Sequence, residues 1–455
     1  MSTLFRESQY NVWVEHQGSF YVYNGIGGGL LRLPAVDYWA LQRCLAGEND
    51  SGCSRKVLYD MMLGRMLVPV DFDEVEMLAS RYRATQADLS RLALTLVTSL
   101  GCNFNCPYCF EAKEPSVMSA EVQTAVLALV DEQLPTLKTL AVTWYGGEPL
   151  IGRRPLYALS DAFIARCDRA GITYEASIIT NGFLLDVPTC RALKARRIGH
   201  AQITLDGPPE VHDARRPQRS GLGSFHRIVA NLHCAIEYLN ISIRVNIDAG
   251  NLHRTEELLQ ILAAEGLAGR LTVYPGQVVG IDDGGSAPSA TYRGCCLSNA
   301  EFARAEQQFL ALCRRYGFAA PVSLPRPSGA PCTAVRRNEL IVGSRGELYK
   351  CFDSVGNPNE VVGDIRDYHH PNGRLARWLK YDPFADPECR ACPALPVCMG
   401  GCAHHAMNPK LYDNRCGTFR HTWREQILSF IEAAERGEIR APATGHSLNR
   451  PIETR

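Results

Sequence analysis

Eighteen cysteines stand in a chain of 455 residues, and ten of them fall into spacings that bind metal. Cys102, Cys106 and Cys109 make a CxxxCxxC loop, CNFNCPYCFE. A closed zinc site takes four ligands, whereas this loop offers three thiols and no nearby histidine. A cubane iron-sulfur cluster makes use of that shortage, because three thiolates leave one iron free to bind a small chelating ligand. Cys332, Cys351, Cys389, Cys392, Cys398, Cys402 and Cys416 form a second group with CxxCxxxxxCxxxC at its centre. CxxC pairs hold zinc as well as clusters, so spacing by itself leaves that metal open. The remaining eight cysteines sit mostly in apolar or helical stretches, where free Cys behaves as a small hydrophobe.

The elements that must position these groups show in the hydrophobic pattern. From Arg91 to about Pro275, strand-like runs (LALTLVT, LAVTWY, YEASIIT, AQITL, ISIRVNID, LTVYP) alternate with amphipathic helical runs. Six such repeats predict a parallel sheet. The informative polar residues stand at the ends of these strands, in WYGGEPL, ASIITNG and TLDGPPEVHDARRP. That is the rim on which βα barrels carry their active sites. Upstream, NVWVE and SFYVYN read as two strands, followed by helices around DYWALQRCL and VLYDMML and by LVPV. GIGGG at 25–29 has no helix directly after it and reads as a hairpin turn, not a phosphate loop. Downstream come a helix over NAEFARAEQQFLALCRRYG, short strands before the Cys-rich loops, and a last helix near WREQILSFIEAAERG.

The Cys triplet, with Tyr108 immediately before its last member, resembles the signature of the radical S-adenosylmethionine (SAM) superfamily. In that family the unique iron binds the amino and carboxylate groups of SAM, and cluster reduction cleaves the sulfonium to a 5'-deoxyadenosyl radical. WYGGEPL resembles the family's GGEP motif, which implies that Gly146 and Gly147 admit the methionyl group and that Glu148 accepts from its ammonium. Ser177 and Asn181, with Thr180, are implied at the ribose hydroxyls. HDxxR implies that Arg216 pairs with the SAM carboxylate. Taken singly, GG and NG are turns, and His212 and Asp213 are helix caps; their order on successive strands is what carries the resemblance.

The seven downstream cysteines resemble the SPASM domain of peptide- and protein-modifying members, which holds two auxiliary iron-sulfur clusters. The family pattern assigns Cys389, Cys392, Cys398 and Cys416 to an outer cluster and Cys332, Cys351 and Cys402 to an inner one. The inner cluster is thereby one ligand short. Either it has an open iron within reach of substrate or a non-Cys ligand, or Cys295, Cys296 or Cys313 completes it. In sulfatase-maturating relatives a basic Asp directly follows the Cys at position 351; here Phe352 stands there and Asp353 comes one later, the candidate for that role.

The resemblance implies an α/β fold: a partial (β/α)6 TIM-type barrel over 91–320, a small α+β, winged-helix-like recognition unit over 1–90, a SPASM domain over 321–436 and a mobile tail over 437–455. It implies SAM and three [4Fe-4S] clusters as cofactors, a flavodoxin- or ferredoxin-type electron donor, and oxidative modification of a ribosomally made precursor peptide, by carbon-carbon, ether or thioether crosslinking. Alternatives are maturation of a protein active site, as formylglycine in a sulfatase or thioethers in a quinohemoprotein, and a catalytically silent peptide-binding scaffold. The N-terminal unit either takes a leader peptide as an added strand or only buttresses the barrel. Lys plus Arg and Asp plus Glu are each 48, so no net field favours nucleic acid or an anionic membrane. The start lacks a secretory pattern and no membrane span is seen, which predicts a cytoplasmic protein. The turn at Glu48, Asn49 and Asp50 reads as solvated surface.

Overall fold

The computed structural model describes residues 4–48, 51–280, 286–292, 295–320 and 322–439. Asn49 and Asp50 of the expected surface turn, and residues 440–455 of the expected tail, lie outside the described residues.

The N-terminal unit holds more strand than its sequence suggests. A pairing of β1 (Phe5–Glu7) with the later β5 (Leu67–Pro69) ties its ends together. Between them β2 (Asn11–His16), β3 (Ser19–Asn24) and β4 (Leu30–Pro34) form an antiparallel sheet, followed by α1 (Ala35–Leu45) and α2 (Arg55–Leu63). β4, LLRLP, carries an Arg in mid-run and ends on Pro, so its alternation is too short to stand out. GIGGG is the β3–β4 connection, as expected. Asn24 organises it: its buried Oδ1 accepts from Ile26 N (3.0 Å) and Gly27 N (2.9 Å), while Nδ2 donates to Ser8 Oγ (3.0 Å) and Asn11 Oδ1 (2.9 Å).

The connector α3 (Glu74–Ala87) begins on Asp73, whose carboxylate accepts from Glu76 N. Beyond it the six predicted strands all form: β6 (Arg91–Ser99), β7 (Thr139–Gly146), β8 (Thr173–Thr180), β9 (Ile198–Thr204), β10 (Asn240–Ile247) and β11 (Thr272–Gln277). They pair in parallel in sequential order. Helices α4 (Ala120–Gln133), α5 (Arg153–Ala170), α6 (Val187–Ala195), α7 (Pro209–Arg215), α8 (Phe225–Ala235) and α9 (Thr255–Ala264) return the chain between them. Leu92, Leu94 and Leu96 of β6 belong to the main core with Val126, Leu129 and Val130 of α4 and Trp144 and Phe163, as a two-layer α/β packing requires.

The C-terminal region begins with α10 (Asn299–Arg315), started by a Ser298–Glu301 capping box. The chain then adds β12 (Glu339–Val342) parallel to β6, followed by β13 (Glu347–Tyr349) and β14 (Gly363–Asp364) in antiparallel order. The barrel sheet and the start of the Cys-rich region are thus one nine-stranded sheet. A final helix, Phe419–Glu435, packs with Val12, Val14, Tyr21 and Tyr23 of the N-terminal sheet and with Ala394, Cys392 and Cys398. The N-terminal sheet therefore leans on the Cys-rich loops, with Tyr10 Oη donating to Arg390 O (3.3 Å) and Tyr23 Oη to Pro325 O (2.9 Å). Among the described residues no helix is long and apolar enough to cross a membrane.

Asn24→Ala removes four buried hydrogen bonds at once. It is expected to cost about 2–3 kcal/mol, seen as faster hydrogen exchange across residues 4–69 with exchange in β6–β10 unchanged.

Candidate functional site

The three thiols of the first group sit in the loop that leaves β6. A register irregularity between Val97 and Ser99 bends the strand end and turns the chain out of the sheet. Cys102 and Cys106 are buried and Cys109 is half-buried. Burial pushes the Cys102 thiol up to about 11 and the Cys109 thiol up to about 12, and the charge of Cys106 adds to both. Phe104 N donates to Cys102 Sγ (3.4 Å), and Asn181 Nδ2 lies 3.9 Å from the same sulfur.

Gly146 and Gly147, at the end of β7, hold this loop. Gly147 N donates to Ser99 O and Glu148 N to Gly101 O, both at 3.0 Å. There is no space for side chains: a Cβ on Gly146, which has φ +138°, would lie 2.2 Å from Ser99 O, and one on Gly147 would lie 2.7 Å from Leu100 O. The close backbone approach that these glycines allow is thus to the cysteine loop itself. Glu148 is fully buried and its carboxylate accepts from Leu150 N (3.0 Å), Thr180 Oγ1 (2.8 Å) and Asn181 N (2.8 Å). It joins the ends of β7 and β8, a role in backbone binding beyond the expected ammonium contact. Asn181 Nδ2 also donates to Asn103 Oδ1 (2.8 Å). Ser177 sits deeper on β8, 3.3 Å from Thr143 Oγ1.

Tyr108 and Arg216 meet in a buried network across the rim. Arg216 Nη1 donates to Tyr108 Oη (2.7 Å), and that hydroxyl donates to Asp206. Arg215 donates to Asp248 Oδ2 (2.8 Å) and Tyr292 Oη (3.2 Å), with its guanidinium 5.0 Å above the Tyr108 ring. Burial works against both arginine charges, yet Tyr108, Cys106 and Asp206 around Arg216 raise its pKa. Asp206, Arg215 and Asp248 escape sequence reasoning; their signal is position alone, at the ends of strands four and five. Asp213 caps α8 by accepting from Ser224 N (2.7 Å) and Phe225 N (2.9 Å). His212 is buried: its Nδ1 accepts from Asp206 N (3.2 Å), and its Nε2 faces Ser224 Oγ (3.0 Å), which donates to Arg216 O (3.1 Å). Burial, then Arg216 and Arg215, hold its pKa well below the usual histidine value.

The second group divides in space. Burial and the charges of Cys392 and Cys416 push Cys398 up to about 11, and burial, Asp386 and Cys398 push Cys389 up to about 12. Cys398 is thus neighbour to the other three, with Arg420 Nη1 3.0 Å from Cys416 Sγ. Cys351 is pushed well above its usual range by burial and then by Asp353, Cys402 and Cys332. Cys313, one of three thiols that could complete this set if its iron is not left open or given a non-Cys ligand, is buried on α10 with its sulfur 3.8 Å from Val273 O. Cys296 Sγ lies 3.7 Å from Tyr292 O, and Cys295 O accepts from Ala249 N (2.8 Å), which seats both beside the end of β10.

The two groups adjoin across a packed apolar cluster. Phe352 meets the Tyr145 ring edge-on at 5.1 Å, in an apolar cluster with Val97, Leu100 and Ile341. Phe110, next to Cys109, packs into the same cluster, so Tyr145 stands between the first triplet and Cys351. Glu111 is buried, and burial pushes its carboxyl up to about 7. Burial works against the Asp353 carboxylate, but His404, His405 and Arg244 more than compensate and hold it below its usual range.

The first triplet fits a three-thiolate cluster with a chelated ligand. Beside the thiols, Asn103 Nδ2 and Arg216 Nε are buried donors with no hydrogen-bond partner among the described residues, a cost offset once they meet an acceptor.

The profile of the Radical SAM superfamily matches residues 96–262. The chain is 23% identical to the serine-type anaerobic sulfatase-maturating enzyme of Klebsiella pneumoniae over 70% of its own length and 82% of that enzyme's. It is 32% identical to the PqqA peptide cyclase of Gluconobacter oxydans over 39% of this chain and 48% of the cyclase. Among solved structures, anSMEcpe with bound AdoMet has a TM-score of 0.56 at 18% identity, covering 76% of this chain and 97% of that one. Streptococcus suis SuiB bound to precursor peptide SuiA has a TM-score of 0.52 at 13% identity, covering 91% and 99%.

Gly147→Ala is expected to loosen the cysteine loop and lower the iron bound by the reconstituted protein, whereas Gly199→Ala, with nothing within 4 Å of the added Cβ, leaves iron content unchanged. His212 stays neutral when folded, while the unfolded chain takes up its proton below about pH 6.5. The stability it contributes is full above that pH and declines on acidification; thermal unfolding from pH 7.5 to 5 is expected to be less pH-dependent in His212→Gln.

Proposed function

With residues 96–262 forming a radical SAM domain, we propose that this enzyme oxidatively modifies a ribosomally made precursor peptide by crosslinking its side chains. The observation that carries the reading is the adjacency of the first Cys triplet and the Cys351 loop, joined where Tyr145 packs with Phe110 and Phe352. A cluster on Cys102, Cys106 and Cys109 would supply the electron that cleaves SAM to a 5'-deoxyadenosyl radical. The residues around it have separable tasks. Arg216 and Asn103 offer unspent donors to the SAM carboxylate and neighbouring polar atoms. The Glu148 clamp holds the ends of β7 and β8 in place, and the Tyr108 network keeps Arg216 charged and oriented.

Closing a bond between two side chains removes one electron after the hydrogen atom is taken, so a crosslinking enzyme needs an acceptor beside the substrate. Cys332, Cys351 and Cys402, with Cys389, Cys392, Cys398 and Cys416 beyond them, suit two auxiliary clusters that lead this electron away. An external flavodoxin- or ferredoxin-type donor supplies the first electron. Asp353, two residues after Cys351, is the candidate for the base that takes a proton from the attacking side chain.

The N-terminal unit supports a peptide substrate. The likeness to peptide-bound SuiB covers 91% of the chain, more than remains once residues 1–90 are set aside. The unit's three-stranded antiparallel sheet is of the kind whose edge receives an extended segment. A second reading, oxidation of a single side chain in a protein active site, is favoured by the alignment over 82% of a sulfatase-maturating enzyme. Mass separates them only at a Cys, where aldehyde formation also removes sulfur; at a Ser both reactions remove two hydrogens, and fragmentation that finds two side chains joined, or a hydrazide adduct that finds an aldehyde, tells them apart.

Anaerobically reconstituted protein given SAM and a strong reductant is expected to release 5'-deoxyadenosine, and Cys106→Ala to bring release to background. A peptide whose mass is unchanged after turnover with nucleoside release would count against crosslinking.

A further inference from the structure

The three cysteines of the inner group leave a cubane one ligand short, and the structure brings a histidine to that gap. His404 follows two residues after Cys402, on the short helix Ala403–Ala406 that Cys402 caps. A ligand nitrogen of its ring, a carboxylate oxygen of Asp353 and the sulfur of Cys351 lie within 4.8 Å of one another. His404 is 2% exposed, and its Nδ1 has no hydrogen-bond partner among the described residues. The nearest acid, Asp353 Oδ2, is 3.9 Å away, too far for a hydrogen bond. A buried imidazole nitrogen left unpaired is costly unless something binds it. The ring is packed against Trp378, itself fully buried, with centroids 6.0 Å apart. Its neighbour His405 also has a buried nitrogen without a partner among the described residues, Nε2, but that ring is anchored through Nδ1, 2.9 Å from Asn414 O, and it is His404 that closes on Cys351 and Asp353.

We propose that His404 Nδ1 is the fourth ligand of the inner auxiliary cluster, beside Cys332, Cys351 and Cys402. The inference rests on the reading that this cysteine group holds an iron-sulfur cluster. A neutral imidazole in place of a thiolate removes one negative charge from the cluster, which raises its reduction potential. That makes the cluster nearer the first Cys triplet the better electron acceptor. It also closes the iron that a three-cysteine site would leave open, so substrate need not bind there.

The test uses full-length protein carrying Cys102→Ala, Cys106→Ala and Cys109→Ala, which removes the radical-generating cluster's signals, reconstituted with iron and sulfide. Iron analysis reports about eight irons per chain if both auxiliary clusters form. Pulsed electron paramagnetic resonance of the reduced protein is expected to show a directly coordinated nitrogen that changes isotope signature on 15N-histidine labelling. The coupling is lost in His404→Ala and kept in His405→Ala and Asp353→Asn, and His404→Cys shifts the inner cluster to a more negative potential. About eight irons with no histidine coupling, or a coupling that survives His404→Ala, overturns the ligand assignment and leaves the auxiliary clusters standing. Only about four irons, with none lost on Cys351→Ala, or zinc in place of iron, overturns the inner cluster and the ligand together. Labelling of the protein with His404 intact keeps the test decisive even if His404→Ala fails to fold.

Discussion

The chemistry of this protein depends on a contact that leaves no room for a side chain. The backbone of Gly146, Gly147 and Glu148 lies against Ser99, Leu100 and Gly101, joined by two hydrogen bonds of 3.0 Å. Three cysteines can hold a cluster only if their loop is held in turn, and here the holding group is the end of the neighbouring strand. Glu148 extends the clamp sideways to Thr180 and Asn181, whose amide returns to Asn103 in the cysteine loop. Three consecutive strand ends are thereby closed around the thiols.

β6 serves both ends of the chemistry. On one edge it pairs with β7, whose end clamps the first cysteine group. On the other it pairs with β12, from which the chain runs through β13 to Cys351. Because both partners hydrogen-bond to the same strand, the spacing between the two groups is set by sheet geometry and not by a flexible linker. The N-terminal sheet and the final helix support the outer loops from behind, with Tyr23 and Phe419 packed edge-on at 6.3 Å.

Much of this was legible before any coordinates. The six barrel strands show as apolar runs because a parallel sheet is buried on both faces, and the rim motifs follow them in order. The cysteines show because a metal ligand has few substitutes. The β1–β5 pairing, β4 and the docking of β12 on β6 did not show: each is a short pairing whose partner lies far along the chain, and no local period marks it. The Tyr108–Asp206–Arg215–Asp248 network was hidden for a related reason. Tyr108 shows within the cysteine motif, but Asp206, Arg215 and Asp248 are single residues on separate elements, and each alone reads as an ordinary surface charge. Cys313, read with the other scattered cysteines as a small hydrophobe, is a core residue of α10.

By itself the sequence determined the kinds of chemistry available: three thiols with one valence open, seven more in a second pattern, and glycines and acids at strand ends. These are properties of residue type and short spacing, which the chain carries whether folded or not. Only the tertiary structure decided which groups meet. It turned the glycines toward the cysteine loop, set Tyr145 between the two cysteine groups, and buried an unpaired His404 beside Cys351. Those outcomes depend on packing between segments tens to hundreds of residues apart, where exclusion of water and lack of space choose the neighbours and no local pattern records the choice.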